Sequence, residues 1–377
     1  MKTMENATGD LAGMQRAIET SEFDAVVAIS PENVRYIGDV NIATQAMIRD
    51  RLALIVWAKG HNPIFIVCAV EEGYVRQESW IREIRAYKEF VTRPMAVLAE
   101  VLRELGLEHG RIGMETAYLA AQYYQELMEQ LPRLRISSCE SLFESVRMFK
   151  TSREVELLRH AFRSTEQALL SVYRTVQVGE TEKSMANRLA DAIMQGGADA
   201  VAFNHINAGT NTGFPHMSPS DYPVQPGDIV KADCGGFYHE YYSNVGRTAK
   251  VGKPTAEEQS YWRRLRGIHH GIIDMVRPGN TGRQLFDEAT RLHEQADIPF
   301  PYAHNGHSLG LQVHEHPFIS PHEALAYAPG MVTTVETRVR WVGEKGLHME
   351  DLILVTDDAP VLLSDAFDNE EIFVIEP

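Results

Sequence analysis

The chain has 377 residues, 44% of them hydrophobic and 23% charged, with a formal net charge of -16. That length exceeds one ordinary core and points to two domains, one of which has room for a catalytic unit of up to about 250 residues. The composition is globular rather than disordered, and the acidic balance argues against nonspecific binding to nucleic acid or to an anionic membrane, because both need a basic surface.

The N-terminal stretch MKTMENATGDLAGMQ has no apolar segment of signal-peptide length, and no run of about 18 apolar residues follows it. Cys68, Cys139 and Cys234 lack metal-type spacing, so neither a disulfide framework nor a zinc-thiolate site is expected. These features together give the expectation of a soluble cytoplasmic protein.

In chain order, a helix is predicted from Leu11, then a buried strand over Asp24 to Ile29, then a turn at Pro31-Glu32-Asn33. LALIVWAKG and NPIFIVCAV read as adjacent strands, and MAVLAEVLRELGLEHGRIGME as an amphipathic helix stopped at Gly106 with a short strand after it. Such alternation predicts an α/β domain over residues 1–145. SLFESVRMFKTSREVELLRHAFRSTEQALLSVYRTV is a long helical pattern broken at Thr151-Ser152, with Ser152 and Glu156 as a loose capping signal, and a second domain is placed over 146–377. There Thr181 caps a helix that stops at Gly196-Gly197, and strands are expected over Ala202 to Asn207, Asp228 to Asp233 and Tyr238 to Val245. Two more helices flank the turn Arg277-Pro278-Gly279-Asn280, and no internal repeat of solenoid period stands out.

Chemistry concentrates in this second domain. Asp233 ends a strand-like run before Gly-Gly; eleven residues on comes Asn244 in SNVGRT; His307 and His314 lie in NGHSLGLQVHEHP. Glu336 and Glu350 each sit in an apolar, β-branched setting where a carboxylate is costly unless it is paired or bound to a cation. Oxygen donors with one imidazole suit Mn, Fe, Co or Zn, and carboxylates of this type hold paired ions about 3.5 Å apart in two-metal hydrolases. His304, His316 and His322 read equally as capping or filling side chains.

Five segments, NAGTNTGFPHMSP, PGDIVKADCGG, YYSNVGRT, GHSLGLQVHEHP and HMEDLILVT, resemble in order the catalytic motifs of the prolidase, Xaa-Pro aminopeptidase and creatinase family. FDAVVAISPENVRYIGDV and SVRMFKTSREVELLRHA are similar to that family's small first domain and to the entry of its second. The resemblance implies an α+β chain: an N-terminal α/β domain of creatinase/prolidase type followed by a pita-bread catalytic domain. It implies metal ligands at Asp233, Asn244, His307, Glu336 and Glu350, a divalent ion (Mn, Co, Fe or Zn), and a homodimer. By the same resemblance His216 steadies the tetrahedral intermediate, His314 handles protons, Glu336 accepts the proton of water, and Arg247 braces the site. The implied reaction is hydrolysis of a C–N bond in a short peptide or other small substrate.

Three positions depart from the pattern. Asn244 stands where the family has a bridging aspartate; an amide is a poor bridge, so one firmly held ion per chain is expected if asparagine is the native residue. Arg338 replaces the glycine of the usual Glu-Pro-Gly, and His348 replaces an arginine; both are expected at the rim, as contacts to substrate, although Arg338 also reads as a surface charge or as a neutraliser of surplus carboxylate. In the first domain Arg49 or Arg51 is a candidate to reach a partner's site. The alternatives are a non-peptide hydrolase or lyase of the same family, akin to creatinase or ectoine hydrolase, and a catalytically impaired binding protein.

Overall fold

A computed structural model describes residues 2–48 and 50–377. The chain divides into two compact units, Met1–Arg147 and Met148–Pro377.

The first unit runs α1 (Leu11–Thr20), β1 (Ala25–Ala28), α2 (Pro31–Gly38), α3 (Ala43–Met47), β2 (Leu54–Ala58), β3 (Ile64–Cys68), α4 (Glu72–Glu78), β4 (Glu83–Tyr87), α5 (Pro94–Glu104), β5 (Arg111–Met114), α6 (Ala121–Gln130), β6 (Arg135–Ser138) and α7 (Glu140–Arg147). Its strands form one mixed sheet in the order β4-β3-β2-β1-β5-β6. β1, β2 and β3 are buried throughout, which is why they read as continuous apolar runs rather than alternating ones. The turn expected at Pro31-Glu32-Asn33 is instead the start of α2. Ser30 accepts a hydrogen bond from the Asn33 N–H, and Pro31 occupies the first helical position, where its missing N–H costs nothing.

The second unit begins with α8 (Ser152–Tyr173) and α9 (Glu182–Gln195). It continues with β7 (Ala200–Ala208), β8 (Ile229–Tyr238), β9 (Tyr241–Tyr242), β10 (Val245–Val251), α10 (Ala256–Asp274) and α11 (Gly282–Gln295). It ends with β11 (His307–Ser308), β12 (Glu315–Phe318), β13 (Val332–Trp341), β14 (Lys345–Leu354), β15 (Val361–Leu362) and β16 (Phe373–Ile375). The main path of its large sheet is antiparallel, β13-β14-β10-β8-β7. One face packs on the helices, through Val335, Val339, Met349 and Ile353 among others. The other face carries the site.

One expectation changes here. The cap of α8 is Thr151, in a reciprocal box with Glu154, not Ser152 with Glu156. Although no repeat of solenoid period stands out, the second unit carries a likeness at a much longer period. Val176, Gly179 and Thr181 recur one hundred residues on as Val276, Gly279 and Thr281. Both glycines have φ of +88°, and both threonines cap the second helix of a helical hairpin.

Candidate active site

The site is built by strand register. Glu336 on β13 stands opposite Glu350 on β14; Glu350 stands opposite Gly246 on β10; Gly246 stands opposite Asp233 on β8; and Asp233 stands opposite His205 on β7. Residues directly opposite share a face, so the three acids form one row across the sheet. The next row on the same face is basic: Arg338 opposite His348, and Lys231 opposite Thr248 and Asn207. Asn244 lies just before β10 rather than within a strand, and its amide nitrogen donates to Glu350 Oε1 at 3.0 Å.

His307 arrives from outside the sheet on the short β11–β12 hairpin. Gly306, at φ +150°, lets this loop touch β13, where a Cβ would lie 2.0 Å from the Thr334 carbonyl oxygen. The Glu336 N–H donates to the Asn305 carbonyl across the same contact. His307 Nδ1 lies 3.0 Å from the Ser308 carbonyl, so Nδ1 carries the proton and Nε2, 3.6 Å from Glu350 Oε1, presents a lone pair. Burial pushes this imidazole down to about 3, which keeps it neutral.

A cavity of about 460 Å³ opens over the acidic row, with His216, His304, His314, Arg338 and Arg340 among its walls. His216 Nε2 is 3.7 Å from Asp233 Oδ2, and its ring lies 5.4 Å from that of His205; the His307 and His314 ring centres are 4.1 Å apart. Burial lowers both His216 and His314, so each is neutral near pH 7 and able to take or give a proton. The loop carrying His216 is tied down by two buried groups. Lys231 Nζ donates to the Phe214 and Pro215 carbonyls, and burial pushes that amine down to about 8. Glu182, at the start of α9, accepts from Ala208 N, Ser220 N, Ser220 Oγ and Asn211 Nδ2. Glu182→Ala should therefore lower kcat by up to about a hundredfold through misplacement of His216. Steady-state kinetics set beside thermal unfolding would check it: an unchanged kcat with a lowered Tm makes Glu182 purely structural.

Arg338 is not a rim or surface charge. Its Nη1 sits 2.5 Å from Glu336 Oε2, Nη2 donates to the His304 carbonyl, and the guanidinium stacks 4.5 Å over Tyr302. Burial alone would raise the Glu336 carboxyl; Arg338 and His348 more than reverse this and hold it well below the usual carboxylate range. Asp233 and Glu350 are pushed up by burial, with Glu336's charge adding to the effect.

Two further assignments are corrected. His348 is not at the rim but 1% exposed beneath it, with Nε2 3.1 Å from Glu336 Oε1 and 3.8 Å from Glu350 Oε2. Arg247 is not in the cavity at all. Side chains alternate along a strand, so with Gly246 facing the site Arg247 faces the helices. There, fully buried, it pairs with Glu166 of α8 and with Asp351, and it donates to the Glu350 carbonyl at 2.5 Å. Arg247 is a positioning residue. In the first unit Arg51 pairs with Glu89 through two hydrogen bonds, and Arg49 lies outside the described residues. Sequence reasoning missed His205, Lys231 and Arg340, and left His304 open; strand parity counted from Asp233 and Glu336 would have put Lys231 and Arg340 on the cavity face, whereas His205 is placed there only by the β7–β8 register.

The donor set fits one divalent cation. Asn244 Oδ1 is buried without a hydrogen-bond partner, the lone pair of His307 is turned inward, and Glu336, His348 and Glu350 each offer an atom, all within 4.8 Å of one another. It fits two less well, because Arg338 already claims Glu336 Oε2 and Asn244 adds no charge.

The pattern of Metallopeptidase family M24 matches residues 156–357, and that of the Creatinase/Prolidase N-terminal domain matches residues 11–149. A probable dipeptidase PepE of Mycobacterium tuberculosis is 32% identical over 218 residues, which are 57% of this chain and 58% of that protein. An Xaa-Pro dipeptidase of Lactobacillus helveticus is 26% identical over 353 residues, 93% of this chain and 95% of that one. The crystal structure of dipeptidase PepE from Mycobacterium ulcerans superposes with a TM-score of 0.85 at 26% identity, covering 97% of each chain. The expected α+β arrangement, a creatinase/prolidase-type first domain and a pita-bread second one, is therefore present. No helix among the described residues is long and apolar enough to cross a membrane.

Proposed function

As the chain belongs to metallopeptidase family M24, we propose that it is a metal-dependent hydrolase cleaving a C–N bond in a short peptide of the Xaa-Pro type. The observation that carries this reading is the buried row of Asp233, Glu350 and Glu336 facing the inward lone pair of His307. Three buried acids with one guanidinium in direct contact call for a further cation. Asp233, His307, Glu336 and Glu350 would hold it, with the Asn244 oxygen as an optional donor and one ion per chain. A bound Mn, Co, Fe or Zn ion supplies a Lewis acid for the carbonyl and lowers the pKa of water.

Water adds across the bond, its hydroxyl going to the acyl carbon and its hydrogen to the departing nitrogen. Glu336 accepts the proton of the attacking water, with Arg338 paired to its Oε2. The proton taken by Glu336 passes to His314 on the cavity wall, which delivers it to the leaving nitrogen and returns to the neutral form, and the neutral His216 donates a hydrogen bond to the oxygen as it gains charge.

A second reading, a hydrolase or lyase acting on a small carboxylate-bearing amide, is favoured by Arg340. It lines the cavity, stacks 5.5 Å from Tyr302 and has no ion pair among the described residues, which suits a substrate anion, with Arg338 beside it. His348, buried below them, does not line the cavity. We also propose a cytoplasmic homodimer in which Arg49 or Arg51 approaches the partner's site. Support comes from the apolar side chains of Phe90, 94% exposed, and Val91, which follow Glu89, the partner of Arg51.

Chelation followed by reloading tests the main reading. Stripped protein should lose Xaa-Pro dipeptide hydrolysis by about a hundredfold or more and regain it with Mn or Co. Full activity at background metal content would sink it, and turnover of carboxylate-bearing amides alone would select the second reading.

A further inference from the structure

We infer that His348 is itself a cation ligand: it joins Glu336, Glu350 and His307 in holding one first-row divalent ion, and Arg338 is the fixed counter-charge that keeps a second ion out. This rests on the cation-dependent reading above and goes further, because it changes which side chains hold the ion and how many ions fit.

Glu336 and Glu350 are directly opposite on β13 and β14, and His348 is two residues before Glu350 on the same face, so its imidazole falls between the two carboxylates. One ligand atom from each of the three lies within 4.8 Å of the others, and all three residues are buried. His348 is 1% exposed; its Nδ1 has no hydrogen-bond partner, and its Nε2 faces Glu336 Oε1 at 3.1 Å and Glu350 Oε2 at 3.8 Å. A buried imidazole whose Nε2 is aimed between two carboxylates stands beside the place where a cation shared by all three would sit. Coordination of Nε2 to an ion shared with the glutamates satisfies it.

The ring has its place because residue 246 is glycine: a Cβ there would lie 2.7 Å from His348 Cε1 and Nε2. Arg338 Nη1 at 2.5 Å from Glu336 Oε2 occupies the oxygen that would otherwise face a second ion. Two carboxylates and imidazole nitrogen suit Zn, Co, Fe or Mn over Ca or Mg.

The test uses the full chain, stripped by chelation and titrated calorimetrically with Zn²⁺ and Co²⁺, with X-ray absorption of the zinc form to count imidazoles. One ion per chain and two imidazoles, His307 and His348, are expected. His348→Ala should weaken binding by about a hundredfold and drop the count to one. Gly246→Ala, which crowds the ring without removing it, should weaken binding about tenfold, and Arg338→Met should raise the stoichiometry towards two. Unaltered affinity and imidazole count in His348→Ala overturn this inference and leave the hydrolase reading standing. If wild-type protein binds no divalent ion, both fall. Should the His348 variant fail to fold, the wild-type spectrum decides alone: one imidazole overturns the assignment.

Discussion

Arg247→Met should destabilise the second unit by about 3–5 kcal/mol, the usual consequence of removing one partner from a buried charge cluster. The side chain is wholly enclosed, and its loss strands Glu166 and Asp351, the latter also bonded by His269 and Ser364. The two acids respond differently to the same guanidinium. Asp351, with more donors around it, is held far below the carboxylate range, whereas burial outweighs Arg247 at Glu166 and pushes it up. Arg247→Lys should fall between, since one ammonium lacks the fork that spans both carboxylates. Adding Glu166→Gln to Arg247→Met should restore part of the loss. A drop in Tm of roughly 10 °C or more is the readout; an unshifted melt would show that the cluster contributes nothing net. Activity should fall with Arg247→Met even below the melt, because Arg247 also holds the backbone carbonyl of Glu350.

The second large effect is expected from Asn244→Asp, and its sign depends on the metal. Without an ion, the change turns the amide donor at 3.0 Å from Glu350 Oε1 into a second carboxylate oxygen at the same place. A buried hydrogen bond becomes a like-charge contact, costing about 3 kcal/mol. With Mn or Co present at a hundred times Kd, binding returns about 2.7 kcal/mol, and the added charge should tighten the ion at least about tenfold. Thermal unfolding with and without metal separates the two. A variant as stable as wild type when stripped would mean that the carboxylate escapes to solvent and the proposed geometry at 244 is wrong.

The identity of the acids was legible in the chain because each motif is local: a carboxylate in an apolar run announces its own cost. Which residues stand beside one another was not. The row Glu336, Glu350, Asp233, His205 joins positions separated by widely different lengths of chain, and only the hydrogen-bond register of five strands aligns them. The misplacement of His348 at the rim, and the silence of the motif on which face Arg247 braces from, share one cause, since motif reading treats neighbours in sequence as neighbours in space. Alternation along a strand carries the correction. Arg247 and Asp351 each follow a residue that faces the site and so face away, while His348 and Arg338 are two residues from an acid and so stay with it. In the first unit α2 was missed because Pro-Glu-Asn has the composition of a turn, and Ser30 in front of it was the stronger signal.

Gly246 and His348 occupy what is, in volume, a single position divided between two strands. Any growth at 246 comes out of the space of the imidazole, and any shrinkage at 348 opens room above the glycine. The two sites should therefore covary among related chains: glycine with a large side chain at 348, a larger residue at 246 only with a small one there. A lineage changing its chemistry at this row would have to cross that exchange in paired steps, with the single intermediates either overpacked or hollow.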